Sequence, residues 1–215
     1  QLFSCSLHGT FFMKQRIFNL VILDESGSMA SIEKQAVDGV NETIQTIRKA
    51  QEKHPEQEHY ISVVTFNDDS RTVYDCVAAN EVKEFGRSDY NPDCCTALFD
   101  AMGFSLNALK PKVAENDKVL VTIITDGMEN ASKEFSNEAI STLVDSLKAR
   151  GWVFAYIGAN QDVMKVAASI SITNTMCFHS TWEGTAAMNS RVRRSRERMY
   201  DRMAEDDFNP VEANN

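Results

Sequence analysis

The chain has 215 residues, 43% of them apolar and 25% charged, which is the composition of a folded globular domain and not of a disordered chain. The longest mainly apolar segments, Phe18 to Leu23 and Val119 to Ile124, are much shorter than the roughly 18 residues of a membrane-spanning helix. The 22 basic and 31 acidic residues leave a net charge of -9, which disfavours nucleic acid and anionic membranes as partners. We therefore expect one folded domain that does not span a membrane.

The cysteines and the start of the chain indicate where the protein works. Five cysteines are an odd number, and a domain of this size can build its core without disulfides. We therefore expect a reducing compartment and a cytoplasmic location. The first residues contain no basic region followed by an unbroken apolar stretch, so they do not resemble a secretory signal. Because Met13 and the residues after it resemble a natural start, we interpret residues 1–13 as a leader outside the fold.

Strand-like apolar runs alternate with helical patterns from Arg16 onward, and this alternation predicts a parallel sheet covered by helices on both faces. The predicted strands span residues 17–23, 60–66, 72–77, 118–125, 152–157 and 175–178. The predicted helices span residues 31–53, 96–109, 136–150 and 162–169. A polar turn cluster at Asn67 to Ser70 indicates a hairpin between the second and third strands, and hence one antiparallel edge strand. We assign the folded domain to residues 14–180.

Oxygen-bearing side chains follow the first strand directly. Asp24 stands at the carboxyl end of that strand, and Ser26 and Ser28 lie in the turn that opens the next helix. Ligands of open α/β sheets bind at this edge, where the connections of neighbouring strands part. A carboxylate and two hydroxyls within five residues suit a hard cation, which prefers oxygen ligands.

Asp126 stands in the equivalent place after the strand at residues 118–125. If these two strands are neighbours in the sheet, Asp24 and Asp126 face each other across the crevice. Two carboxylates buried together are costly without a counter-charge, which a divalent cation supplies. Helix capping is the other interpretation of these residues, since Asp, Ser and Thr are preferred wherever a strand leads into a helix.

Three sequence features together resemble the metal-ion-dependent adhesion site of the von Willebrand factor A domain. They are Asp-x-Ser-x-Ser from Asp24, a threonine that opens a middle helix, and Asp-Gly-x-x-Asn from Asp126. The resemblance extends from about Lys14 to about Phe178 and includes small stand-alone bacterial members. It implies a Rossmann-like three-layer α/β/α fold with a central, mostly parallel sheet of six strands and one antiparallel edge strand. It also implies a set of metal-binding residues: Asp24, Ser26, Ser28, Thr96 and Asp126.

In that family the metal keeps one coordination position open for a carboxylate of the partner. The resemblance thus implies a non-enzymatic protein-binding module that holds Mg²⁺, with Mn²⁺ or Ca²⁺ as alternatives, and captures an Asp or Glu of a protein ligand. The loop before Thr96 departs from the family pattern, because it reads Asp93-Cys94-Cys95 where glycine is usual. We expect the following residues around the metal to face the partner: Glu25, Met29, Cys95 and Gly127.

The C-terminal segment, residues 181–215, is predicted to contain an arginine-rich helix and an acidic tail. Residues 191–202 carry six arginines against two acidic residues. One interpretation is an arm that binds nucleic acid or an acidic partner. The other, which we favour, is a helix whose arginines pair with the acidic surface of the domain. The same helix carries a thin apolar stripe: Val192, Met199, Tyr200 and Met203.

The enzymatic alternative is a Mg²⁺-dependent phosphohydrolase of the haloacid dehalogenase type, which also places an Asp after its first strand. That chemistry needs Asp24 as nucleophile and a second acid two residues later as general acid. Ser26 occupies this second position, and a hydroxyl cannot protonate a leaving group as a carboxylic acid does. We therefore rank this hypothesis below the protein-binding module.

Overall fold

The computed structural model describes residues 14–158, 161–178, 182–205 and 208–214. The predicted leader, residues 1–13, lies outside the described residues. Six strands form one sheet: β1 (Gln15–Asp24), β2 (Gln57–Phe66), β3 (Ser70–Ala78), β4 (Lys118–Thr125), β5 (Val153–Gly158) and β6 (Thr175–Cys177). Each predicted strand is present, and the bounds differ from the predicted ones by a few residues at most.

The order of the strands creates a crevice at the centre of the sheet. The strands lie in the order β3-β2-β1-β4-β5-β6, with β3 antiparallel to β2 and the other neighbours parallel. The predicted mostly parallel sheet with an antiparallel edge strand is thus confirmed. The chain continues from β1 to β2 on one side and from β4 to β5 on the other, so the connections diverge between β1 and β4. Because Leu23 pairs with Ile124, Asp24 lies beside the end of β4.

Helices cover both faces of the sheet. One layer consists of α1 (Glu33–Lys53) and α5 (Trp182–Ala204), and the other of α2 (Leu98–Leu109), α3 (Asn137–Lys148) and α4 (Gln161–Ser169). Successive side chains of a strand point to opposite faces. Ile17 and Val21 of β1 accordingly join the core under α1 and α5, whereas Phe18 and Leu20 join the core under α2 and α3. This is the three-layer α/β/α arrangement that the sequence predicts.

The first α-helix begins later than predicted. Residues Gly27–Ile32 form a 3-10 helix, and the α-helix begins at Glu33. The tighter winding places Met29 and Ile32 in the core, where they are 0% and 2% exposed, while Ser28 stays exposed. The turn is therefore anchored by apolar side chains and presents a hydroxyl outward.

The arginine-rich segment lies in α5, which packs against α1 and the sheet. Met188, Tyr200 and Met203 are buried in the core that also contains Ile17 and Val40. The short helix α6 (Pro210–Ala213) follows. The helix therefore forms part of one face of the domain and is not a detached arm.

The arginines of α5 differ in their surroundings. Arg193 forms an ion pair with Glu42 of α1 at 3.5 Å, as the favoured interpretation of this helix predicts. Arg196, one turn later, is only 5% exposed and bonds to neutral hydroxyls. The interpretation of the arginines as partners of surface acids is therefore wrong for Arg196, because this side chain points toward the sheet.

A buried polar network joins α5 to the sheet and consists of Asn19, Gln57, His59 and Tyr200. The Tyr200 hydroxyl donates to Asn19 Oδ1 at 2.6 Å, and Asn19 Nδ2 donates to His59 Nδ1 at 3.5 Å. His59 Nε2 donates to Gln57 Oε1 at 2.9 Å, and Gln57 Nε2 donates to the Tyr200 carbonyl at 2.8 Å. These contacts match a neutral imidazole with its proton on Nε2. Burial lowers the pKa of His59 to about 4.

Two properties of the described residues bear on the sequence predictions. No helix in the described part of the chain is both long enough and apolar enough to cross a membrane. The cysteines that the structure describes are free thiols: Cys76, Cys94, Cys95 and Cys177.

Candidate metal centre

The side chain of Asp24 is fixed at the carboxyl end of β1 and is 0% exposed. Its Oδ1 accepts a hydrogen bond from the Ser26 backbone N–H at 2.7 Å, and its Oδ2 accepts one from the Thr125 hydroxyl at 2.5 Å. The Tyr90 hydroxyl donates to the Asp24 carbonyl at 2.7 Å. These contacts hold the carboxylate in one orientation at the crevice between β1 and β4.

The two serines of the turn connect Asp24 to the residue that follows β4. Their Oγ atoms lie 3.2 Å apart, and Ser28 Oγ donates to Asp126 Oδ1 at 2.5 Å. Ser26 is 2% exposed, whereas Ser28 is exposed and Asp126 is half-buried. The structure therefore brings together the side chains after β1 and β4, because these strands are neighbours.

Thr96 and Gly127 complete a small space lined by oxygen atoms. Thr96 is 3% exposed, and its backbone N–H donates to Asn130 Oδ1 at 2.9 Å. A Cβ atom added at Gly127 would lie 3.0 Å from Thr96 Oγ1 and 3.7 Å from both Asp24 Oδ2 and Ser28 Oγ. Oxygen atoms from three separate segments of the chain thus surround one position that a side chain would fill.

The five predicted metal-binding residues lie together, and we call them the carboxyl-edge cluster: Asp24, Ser26, Ser28, Thr96 and Asp126. Burial, and to a smaller degree the nearby Asp126 carboxylate, raises the pKa of Asp24 to about 6 despite the hydrogen bonds from Thr125 and Ser26. Burial also raises the pKa of Asp126. In both cases burial disfavours the ionised carboxylate, and a divalent cation bound beside it would offset that cost.

The donor atoms of the carboxyl-edge cluster fit a hard cation. They are carboxylate and hydroxyl oxygens, the ligand types that Mg²⁺ and Ca²⁺ take, whereas Zn²⁺ and copper favour nitrogen and sulfur. Within the described ranges, no three His, Cys, Asp or Glu side chains converge on one point. Hydroxyl ligands are therefore essential to any metal site built on this cluster.

Two of the residues expected to face a partner are buried instead. Met29 is 0% exposed, because the 3-10 turn directs it into the core. Glu25 is 6% exposed, and its carboxylate accepts hydrogen bonds from the Asn91 N–H and, at 3.4 Å, from Arg71 Nη2. The expectation for these two side chains is therefore wrong, and Glu25 instead holds the loop that precedes Thr96.

The other two residues of that expectation remain near the surface. Cys95 is exposed, and Gly127 is half-buried at the oxygen-lined space. Cys94, beside Cys95, has a φ of 64°, so the non-glycine loop adopts the left-handed backbone conformation that glycine favours. The departure from the family pattern is thus accommodated by backbone strain at one residue.

Several residues outside the predicted set position the cluster. Thr125 orients Asp24, and Glu129 Oε2 accepts a hydrogen bond from the Phe99 N–H at 3.0 Å at the start of α2. Thr125 was identifiable in principle, because it precedes Asp126 and lies beside Asp24 once β1 and β4 are paired. Tyr90 comes from a loop whose path carries no sequence signal.

The fold and the cluster are those of a known family. The family model of the von Willebrand factor type A domain matches residues 20–190. The chain belongs to this family. The von Willebrand factor type A domain is in general a non-catalytic module of metal-dependent adhesion and protein interaction, and the resemblance found in the sequence is thereby confirmed.

Solved structures with little sequence identity share this von Willebrand factor type A fold. A von Willebrand factor type A protein from Catenulispora acidiphila is 13% identical with a TM-score of 0.62, and the match covers 85% of this chain and 42% of that chain. The PilB minor pilin from Streptococcus sanguinis, as a mutant, is 12% identical with a TM-score of 0.56, covering 88% of this chain and 62% of that chain. The chain thus spans less than two thirds of the length of both proteins.

A third structure is similar in length to the present chain. BatB, a conserved hypothetical protein from Bacteroides thetaiotaomicron, is 12% identical with a TM-score of 0.56, and the match covers 83% of this chain and 98% of that chain. A search of curated proteins finds no match. The structural neighbours establish the fold and leave the partner of this chain to be inferred from its own residues.

Proposed function

We propose that this chain is a metal-dependent protein-binding module that holds Mg²⁺ at the carboxyl-edge cluster and captures an Asp or Glu side chain of a protein partner. The observation that carries the proposal is the space at Gly127, which oxygen atoms of Asp24, Ser28 and Thr96 surround. Mn²⁺ and Ca²⁺ are the other ions that this set of oxygen ligands suits.

The residues of the cluster have different tasks in this proposal. Asp24 supplies negative charge from beneath the site, held in place by Thr125 and by the turn. Ser28 and Asp126 lie nearer the surface, where they hold the ion within reach of a partner. When bound, Mg²⁺ supplies a Lewis-acidic position that a partner carboxylate can complete. Because neutral hydroxyls provide most of the ligands, the site retains attraction for an incoming carboxylate.

Exposed acidic side chains beside the cluster bear on the chemistry of the partner. The Gly27 N–H donates to the Cys94 carbonyl at 3.2 Å, which places the exposed Asp93 next to the turn. Asp68 and Asp69, also exposed, follow β2 in a loop that is hydrogen-bonded to the start of α2. We expect a partner whose captured carboxylate is flanked by basic residues, because these would meet the acidic rim.

The experiment that tests the proposal measures Mg²⁺ binding and partner capture in the same variants. We expect Thr96→Ala and Asp126→Ala each to weaken Mg²⁺ binding by about 100-fold or more, because each removes an oxygen donor that the site cannot replace. Calorimetric titration with Mg²⁺ measures the first effect. Capture of partners from the source cell, with Mg²⁺ or with a chelator, measures the second.

A matched control comes from Ser31, an exposed serine of the same 3-10 turn whose hydroxyl donates to the Ser28 carbonyl at 3.4 Å. Ser31→Ala should bind Mg²⁺ as the wild type does. Partner capture that persists undiminished in chelator, or in Thr96→Ala, would contradict the proposal.

The two alternative functions gain no supporting observation. At the position where a phosphohydrolase needs its general acid, Ser26 is buried, and its hydroxyl lies against Ser28. The arginine-rich helix packs on the domain through Met188, Tyr200 and Met203, so nucleic acid would meet only its exposed arginines. Neither arrangement adds to the sequence arguments for these functions.

A further inference from the structure

A groove lies between α5 and the outer half of the sheet, and it shares no residue with the carboxyl-edge cluster. Its walls are mainly apolar, and Met176, Val192 and Met199 contribute to them together with residues of β4 and β5. Ser195 and Arg196 line the groove from α5. About 50 Å³ of it is open to water-sized groups, which is room for about four water molecules.

Arg196 is a buried cation that forms no ion pair with a carboxylate of the described residues. It is 5% exposed, its Nη2 donates to Thr122 Oγ1 at 2.5 Å, and its Nη1 lies 3.4 Å from the Tyr200 hydroxyl. Both partners are neutral, and Nε has no hydrogen-bond partner among the described residues. Arg193, one turn earlier on α5, pairs with Glu42 at 3.5 Å, whereas no carboxylate of the described ranges pairs with Arg196.

An unpaired guanidinium in this position calls for an anion. A buried charge is costly unless it is paired, and arginine cannot escape the cost by losing its proton. Its fork of N–H donors matches the two oxygens of a carboxylate. Arg196 lines the groove, so the groove provides a space for such a group beside this side chain.

We propose that this groove binds a small monocarboxylate, with its carboxylate on Arg196 and a short alkyl chain against Met176, Val192 and Met199. Covalently bonded atoms lie closer together than water molecules do, so a space for about four waters limits the ligand to about five non-hydrogen atoms. The apolar walls favour an alkyl chain over a polar anion such as phosphate. One guanidinium neutralises one carboxylate, and no second cationic side chain lies among the described residues that line the groove. This proposal does not rest on the metal centre.

The test uses the full chain and propionate as the probe, at constant ionic strength and neutral pH. We expect propionate at ten times its Kd to raise the Tm by about 3–6 °C. In a ¹H–¹⁵N spectrum, the Arg196 Nε–H signal, identified by its absence in Arg196→Met, should shift as propionate is added. Propionamide, the neutral analogue, and inorganic phosphate should leave the Tm and this signal unchanged.

Two variants separate the site from a general effect of carboxylates. Arg196→Met should lose the rise in Tm, whereas the control Arg193→Met, on the same helix, should keep it. If Arg196→Met does not fold, Val192→Phe serves in its place, because the larger side chain fills the groove while Arg196 remains. An absent response to propionate in the wild type, or an equal response in Arg196→Met or Val192→Phe, would overturn the proposal, as would an equal effect of propionamide or phosphate.

Discussion

The carboxyl-edge cluster and the buried polar network both include residues of β1. They differ in how well the donors and acceptors of each region match one another. In the buried polar network, the amide and imidazole groups of Asn19, Gln57 and His59 alternate as donor and acceptor, and Tyr200 closes the set. At the carboxyl edge, two carboxylates and several hydroxyls face one another, so acceptor oxygens outnumber donors. The first arrangement is satisfied by the protein alone, whereas the second calls for a cation.

The two regions also shift pKa values in opposite senses for the same physical reason. Burial disfavours the charged form of each group. It lowers the pKa of His59 from 6.5 to about 4 and raises the pKa of Asp24 from 3.8 to about 6. His59 is neutral at pH 7 and is stabilised as such by the network, while Asp24 is ionised at pH 7 and its carboxylate bonds to neutral groups among the described residues.

The largest expected effects are on the stability of the metal-free protein, which depends on pH in one direction through His59 and in the opposite direction through Asp24. The unfolded chain takes up a proton on His59 as the pH falls from 6.5 to about 4, so stability falls by about 3 kcal/mol on acidification through this window. The folded chain keeps a proton on Asp24 up to about pH 6, so stability falls by about 3 kcal/mol as the pH rises from 3.8 to 6. In the wild type the two effects largely cancel.

Two variants separate these effects, with urea unfolding in chelator from pH 4 to pH 7.5 as the measurement. Asp24→Asn should become more stable as the pH rises, because His59 dominates the difference. His59→Gln should become less stable over the same range, because the carboxylates dominate. If the free energy of unfolding changed with pH in the same direction in both variants, burial would not shift the two pKa values in opposite directions.

The next largest effect is the loss of stability that we expect when one hydroxyl is removed from the buried polar network. Tyr200→Phe leaves Asn19 Oδ1 without its donor at 2.6 Å, and we expect the free energy of unfolding to fall by about 2 kcal/mol, because a buried acceptor becomes unsatisfied. Affinity for Mg²⁺ should stay at the wild-type value. Urea unfolding and calorimetric titration measure the two quantities, and a loss of Mg²⁺ affinity would show that the regions are coupled.

The smallest expected effect is that of a substitution at Gly127. In contrast to Tyr200→Phe, it should change the affinity for Mg²⁺ more than the stability. Gly127→Ala adds a methyl group 3.0 Å from Thr96 Oγ1, so we expect Mg²⁺ affinity to fall by about tenfold, as when the support of a metal site is disturbed. The free energy of unfolding of the metal-free protein should change less than in Tyr200→Phe. Unchanged Mg²⁺ affinity in this variant would mean that the ion lies elsewhere.

Much of the fold follows from local patterns in the sequence. The strands were predicted because apolar runs such as those in β1 and β4 are bounded by turn residues, and their alternation with helical patterns restricts the fold class. The site residues Asp24 and Asp126 were predicted because each follows a core strand. The sequence predicts the start of α1 too early, because nothing local distinguishes the 3-10 winding of Gly27–Ile32 from the first turn of an α-helix.

Predictions about which way side chains face were less successful, as Met29, Glu25 and Arg196 show. Glu25 and Arg196 belong to charged residue types that are usually exposed, and Met29 lies in the turn that carries Ser26 and Ser28. Met29 is turned inward by the 3-10 winding, Glu25 is drawn to Asn91 and Arg71, and Arg196 reaches Thr122 across the core. In each case the deciding contact comes from a segment that is distant in the sequence or from a local winding that only the folded chain shows.

The alternation of strands and helices, the family pattern and the oxygen-bearing side chains at two strand ends can be predicted from the sequence, because residue type and spacing govern local structure. Tertiary structure alone decided that Tyr200 would meet Asn19 across 181 residues. It also decided that Thr96 and Gly127 would enclose one space and that Arg196 would be buried with no carboxylate partner among the residues that the structure describes. Whether a donor finds an acceptor, or a charge its partner, depends on how distant segments pack, and the spacing of residues along the chain carries no record of that packing.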